Sequence, residues 1–152
     1  MLIYKKIKLN LIILIILIII LDQFTKNYIN YNISDFLNNN YYLFKIDFVR
    51  NYGAAFNLFD GNRLFLSLIS ILSSIVLIYI IFTKNQLTTL SLYGLSLILA
   101  GSIGNGIDRI IYGFVIDFIN LNFISFPVFN IADISINLGF VLLINNIISN
   151  KK

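Results

Sequence analysis

The chain has 152 residues, of which 59% are hydrophobic and only 12% charged, with a mean hydropathy of +0.88 and a formal net charge of +4. A soluble domain of this length needs far more polar surface, so lipid is the solvent for most of it. Cysteine and histidine are absent and all seven acids are aspartates, which excludes a disulfide framework, a thiolate or histidine metal site and a Ser-His triad.

Four apolar stretches follow in chain order, and they predict a membrane all-α bundle of four transmembrane helices. A span needs about 20 residues to cross the hydrocarbon layer. The first, over residues 9–29, follows Lys5, Lys6 and Lys8. Its purely apolar core, Leu11 to Leu21, is too short alone, so the helix must continue past Asp22. The segment after that core, Asp-Gln-Phe-Thr-Lys, is no small-x-small cleavage site, so a retained helix is expected rather than a removed leader. The others are expected over 64–83, 87–107 and 132–149, giving one integral membrane domain over 1–152 with outer loops at 30–62 and 110–131. Tyr41 to Arg50 carries β-type residues with partial alternation, and Ile119 to Phe126 is a second strand-like run, so short strands should form a small outer β-cradle. Pro127 marks the turn into the fourth span.

Four spans place both termini on one side. Lys5, Lys6, Lys8, Lys84, Lys151 and Lys152 share that side, which the positive-inside rule makes cytoplasmic. All the aspartates fall toward the other face. Acids do little to orient insertion, so their one-sided placement points to chemistry at the outer face. The basic residues form no run interleaved with aromatics, and nucleic acid is not an expected partner.

With no histidine or cysteine, paired carboxylates are the available acid–base machinery. Asp117, in Gly-Phe-Val-Ile-Asp-Phe, and Asp133, in Phe-Asn-Ile-Ala-Asp, lie between the last two spans. An ionised carboxylate at a bilayer edge is costly to desolvate. Two close together share one proton and can activate a water. Read singly, each has a plainer role: a surface acid, or, for Asp133, an N-cap of the fourth span. Asp22 and Lys26, four residues apart, read as a helix-end ion pair that sets depth and tilt and supports stability, with Lys26 free to snorkel toward the headgroups. Asn51-Tyr-Gly-Ala-Ala-Phe56 reads as a tight turn in which Gly53 and Ala54 allow close approach. Gly101 to Gly106 allows close helix packing. Asp108 and Arg109 are sequence neighbours that should take separate partners, and Arg109 alone reads as an interface anchor. Asp22, the Asn51 motif, Asn105 and the two later acids gathering at one depth exceed what packing requires.

Five segments in this order, Asp22-Gln-Phe-Thr-Lys26, Asn51-Tyr-Gly-Ala-Ala-Phe56, Gly104-Asn-Gly-Ile-Asp-Arg109, Val115-Ile-Asp-Phe118 and Phe129-Asn-Ile-Ala-Asp133, resemble those of the lipoprotein signal peptidases, or signal peptidase II, of bacterial inner membranes. Ser102 stands where that family often has a small apolar residue. The resemblance implies that Asp117 and Asp133 are a catalytic dyad and that Asp22, Asn51, Asn105, Arg109, Asn130 and Ala132 surround it, with Asp108 as a structural acid. Lys26, Gly53 and Ala54 belong to the same substrate-binding or dyad-supporting set. It further implies a diacylglyceryl prolipoprotein substrate cleaved just before the lipidated cysteine, sensitivity to globomycin, contact with membrane lipid, a monomer, and no metal or cofactor. Two other readings are a proton-coupled carrier, whose relay acids should lie near mid-membrane or on both sides, and an inactive scaffold, which has no need of both aspartates.

Overall fold

The computed structural model describes residues 2–36, 41–54, 58–84 and 86–150, with side chains from Lys6 onward. Ala55, Phe56, Lys151, Lys152 and the side chain of Lys5 lie outside the described residues. The elements run α1 (Leu2–Tyr31), a single turn α2 (Ile33–Phe36), β1 (Phe44–Asn51), α3 (Arg63–Thr83), α4 (Thr89–Ile111), β2 (Val115–Leu121) and α5 (Ile131–Ser149).

Helices α1, α3, α4 and α5 are each long and apolar enough to cross a membrane. The first continues well past Asp22, as its short apolar core requires. Their outward faces carry apolar side chains such as Ile16, Leu17, Leu68, Leu72 and Phe140. Helix α4 is the hub: 56% of its apolar window is buried, against 17–22% in the other three. Its sequence explains this, since small residues (Gly94, Ser96, Ala100, Gly101, Gly104, Gly106) line its buried faces. Lipid supplies no hydrophobic drive between helices, so close backbone packing and interhelical hydrogen bonds must hold them together. Gly94 and Gly139 mark one such crossing: a Cβ on Gly139 would lie 2.6 Å from the Gly94 carbonyl oxygen. Ser135 Oγ donates to Leu97 O at 2.7 Å across the same interface. Leu11, Ile15, Ile81, Leu92, Leu99 and Ala100 fill the centre between α1, α3 and α4.

At one end of the bundle, β1 and β2 pair antiparallel, from Phe44 opposite Leu121 to Asn51 opposite Val115. A bulge between Ile46 and Val49 breaks the register, after which Val49 faces Asp117. Bulges re-aim the side chains that follow them. The first strand starts three residues inside the expected stretch and ends one residue beyond it. The second differs more: the strand-like run expected at Ile119 to Phe126 is strand only through Leu121, and β2 begins earlier, at Val115. Its first four residues are all buried, so the alternation that marks a half-exposed strand is lost there. Phe129 closes the layer by exchanging backbone hydrogen bonds with Ile119.

Candidate active site

Five elements meet at the end of the bundle beneath the strands: the last turns of α1 and α4, the first turn of α5, and the adjoining parts of β1 and β2. Asn130 is the junction. It is fully buried and caps α5, where its Oδ1 accepts from the Asp133 backbone N at 2.9 Å while Asp133 Oδ2 accepts from the Asn130 N at 3.2 Å. This reciprocal box corrects the expectation that Asp133 itself is the N-cap: Asp133 occupies the third helical position and Asn130 the cap. An acid in a first turn is also favoured by the positive end of the helix dipole.

The same Asn130 side chain reaches the other acid. Its Nδ2 donates to Asp117 Oδ1 at 2.7 Å, and Asn51 Nδ2 donates to Asp117 Oδ2 at 2.9 Å. Asn105 Nδ2 donates to Asp133 Oδ1 at 2.8 Å. The direction of all three amides is set by groups that cannot reverse. Gly53 N donates to Asn51 Oδ1 at 2.9 Å, Asp133 N holds Asn130 Oδ1, and the Lys26 ammonium donates to Asn105 Oδ1 at 2.9 Å. Every carboxyl oxygen of Asp117 and Asp133 therefore receives an N–H donor, and their free lone pairs are left for a reacting group.

Both acids line one cavity of about 670 Å³, together with Asn51, Ala54, Asn105, Arg109 and an apolar wall that includes Phe126, Pro127 and Ile136. Asp117 is 2% exposed. Burial and the nearby negative charge of Asp133 push its carboxyl up to about 7, against the hydrogen bonds from Asn51 and Asn130 and the charge of Lys26. A carboxyl in that range keeps a proton near neutral pH.

Arg109 is not the interface anchor its position suggested. Its guanidinium borders the cavity and donates to Gly53 O at 3.0 Å, closing the Asn51–Ala54 turn over the site. Lys26 does not snorkel: it is 1% exposed and pairs with Asp22 Oδ2 at 2.8 Å and Asp108 Oδ2 at 3.0 Å. Gly104 makes room for this group, since a Cβ there would lie 2.6 Å from Asp22 Oδ2. Asp22 Oδ1 accepts from Ala132 N at 2.9 Å. All twelve singled-out residues thus gather at one end of the bundle.

A model of the family described as signal peptidase (SPase) II matches residues 14–149. The chain belongs to the signal peptidase II family. Among relatives, a lipoprotein signal peptidase of Wigglesworthia glossinidia brevipalpis is 46% identical over 93% of this chain and 94% of its own. One of Lactococcus lactis subsp. lactis is 36% identical over 95% and 97%. Two solved bacterial membrane enzyme structures superpose with TM-scores of 0.84 and 0.80 at 33% and 34% identity, the first covering 94% of this chain and 90% of its own, the second 91% and 92%. This signal peptidase II family member is accordingly a multi-pass membrane protein with a four-helix bundle and a small two-stranded antiparallel sheet.

Three contributors escaped sequence reasoning. Gln23 Nε2 donates to Asp108 Oδ1 at 2.9 Å and to Gly104 O at 3.1 Å, tying α1 to α4. Asn137 lines the cavity one turn after Asp133, and the four-residue spacing was a usable signal. Ser70, on α3, lines it as well. The serine at position 102 is absorbed by α3, where Ser73 Oγ lies 2.9 Å from Ser102 Oγ.

Proposed function

We propose that this signal peptidase II family member is an aspartic endopeptidase that removes the signal peptide of diacylglyceryl-modified prolipoproteins, cutting immediately before the lipidated cysteine. It would act as a monomer in the bacterial cytoplasmic membrane, with both termini cytoplasmic and the cavity at the outer face. The observation that carries the reading is the Asn130 bridge, which donates to Asp117 through its side chain and to Asp133 through its backbone within one cavity.

Asp133 is the general base, lining the cavity from the first turn of α5 and held there by donors from Asn105 and Asn130. Asp117 carries the shared proton, in keeping with a carboxyl pushed up to about 7. Asp133 takes a proton from a water whose oxygen bonds to the scissile carbonyl carbon, while Asp117 hydrogen-bonds the developing oxyanion. Collapse of the tetrahedral intermediate breaks the C–N bond, and the proton held by Asp133 goes to the leaving amine. No metal or cofactor takes part. Arg109 and Ala54 line the cavity, Arg109 being held by Gly53 O, and would hold the extended peptide. The acyl chains stay in the bilayer, fixing the scissile bond at the depth of the dyad.

The test is incubation of detergent-purified protein with a prolipoprotein with and without its diacylglyceryl group, with the new N-terminus read by mass spectrometry. Cleavage only of the lipidated form, directly before the modified cysteine, and its block by globomycin are expected. Cleavage at another bond, or equal cleavage of unlipidated substrate, would overturn the assignment of substrate.

A further inference from the structure

Lys26 sits at the centre of a buried group that takes no part in the chemistry above. Asp22 and Asp108, both 0% exposed, share its ammonium. Two carboxyl groups and one ammonium share the interior, where desolvation is severe. Arrangements of this kind need further hydrogen bonds to persist, and these bonds fall at telling places. Asp22 Oδ1 accepts from the backbone N of Ala132, the residue before Asp133. Asp108 Oδ2 accepts from the backbone N of Ile116, the residue before Asp117, at 3.1 Å. Lys26 joins the two acids and adds a third line to the dyad through Asn105.

We propose that Lys26 is a positioning residue whose ammonium, through Asp22, Asp108 and Asn105, sets the separation and orientation of the Asp117 and Asp133 carboxyls. The inference rests on the dyad reading above and deepens it. Helix α1 contributes no group to the dyad itself, so this clamp is how the first span reaches the reaction. Holding Asn105 by its carbonyl end forces its N–H toward Asp133; without the ammonium, only Asn130 Nδ2, at 3.1 Å from Asn105 Oδ1, resists a flip. A flipped amide would aim an oxygen at the Asp133 carboxylate.

The charged and titratable surroundings are defined on every side. Lys26 faces Asp22 on its own helix and Asp108 on α4. Asp117 faces Asn51 of β1 together with Asn130 and Asp133, and the Arg109 charge of α4 is felt by both dyad acids. Lys26 is also among the groups that hold the Asp117 carboxyl down. Removing its charge should therefore raise the pH at which Asp117 ionises, while the split between kcat and KM reports the positioning itself.

The test uses the double variant Lys26→Met/Asp108→Asn, which removes the base and one acid together and leaves Asp22. The full-length protein in detergent is compared with wild type for thermal unfolding, kcat, KM and the infrared titration of the Asp117 carboxyl, assigned by difference against Asp117→Asn. Expected are a folded protein, a kcat about a hundredfold lower, a KM within about twofold and a titration midpoint moved to higher pH. Wild-type kcat together with an unmoved midpoint in the folded variant overturns the proposal. Wild-type kcat with a moved midpoint also overturns it, since the charge then acts on Asp117 without setting the geometry that turnover needs; the dyad reading fails separately, if Asp117→Asn turns over normally. Should the double variant not fold, Asn105→Leu cuts the link to Asp133 while leaving the ion triad whole; full kcat in that variant also overturns the proposal.

Discussion

The titration of Asp117 makes a quantitative demand on activity. If Asp117 must be protonated to stabilise the oxyanion, kcat/KM should fall on the alkaline side with a midpoint at about 7. One pH unit above the midpoint roughly a tenth of the enzyme is competent, and one unit below it about nine tenths. Replacing Asn51 by Leu removes the donor to Asp117 Oδ2, one of the two hydrogen bonds that favour the ionised form. A hydrogen bond to a charged group contributes about 1.5–3 kcal/mol. Water from the cavity replaces part of it, so the lower end applies, and the midpoint should rise by about one pH unit. The assay is initial-rate cleavage of a diacylglyceryl prolipoprotein in detergent between pH 5.5 and 9 (range chosen to bracket about 7), with each profile normalised to its own plateau so that slower turnover in Asn51→Leu does not matter. A wild-type profile with no alkaline limb in that range would refute the assignment of the proton to Asp117. So would a limb that moves to lower pH in Asn51→Leu.

Two further predictions concern the folded state. The Asp117 carboxyl binds its proton more tightly folded, at about 7, than at the ordinary value of 3.8, so the folded protein holds more protons between those values and loses stability as pH rises through them. Asp117→Asn should therefore unfold at a higher temperature relative to wild type at pH 8 than at pH 5; the reverse order would contradict the burial argument. Gly104→Ala places a methyl group where Asp22 Oδ2 now sits, 2.6 Å from the new Cβ. Overpacking of this kind costs about 1–3 kcal/mol, so both thermal stability and kcat should drop, and a variant with wild-type turnover would show that the α1–α4 contact does not constrain the site.

Much of the architecture was legible because the forces behind it are local. Arg63, Lys84, Asp108 and Arg109 bracket the apolar runs of α3 and α4, and the shortness of the Leu11–Leu21 core required α1 to pass Asp22. The gathering of Asp22, Asn51, Asn105, Asp117 and Asp133 at one end followed from where the spans stop. What escaped depends on contacts distant in sequence. The second partner of Lys26, Asp108, lies on another helix, so only the i,i+4 pair with Asp22 can be read locally, and the sequence leaves snorkelling open for an ammonium that is in fact buried. The start of β2 was missed because Val115 to Phe118 is buried on both faces and carries no period-two signal. Asn130 and Asp133 both suit the start of α5. Their division into cap and third position follows the reciprocal bonds between them, while the further bond from Asn130 to Asp117 is one that no local pattern reveals.

The central claim is that two carboxyls act as one unit on the scissile bond. The most direct test is turnover by Asp117→Asn and Asp133→Asn proteins, each verified as folded in detergent, on a diacylglyceryl prolipoprotein. Asparagine keeps the size and an acceptor for the Asn130 bonds while removing the acid or base. A loss of at least about 10²–10⁴-fold in kcat is predicted for each variant, with substrate still bound. Turnover within tenfold of wild type in either one would contradict the dyad and, with it, aspartic catalysis in this chain.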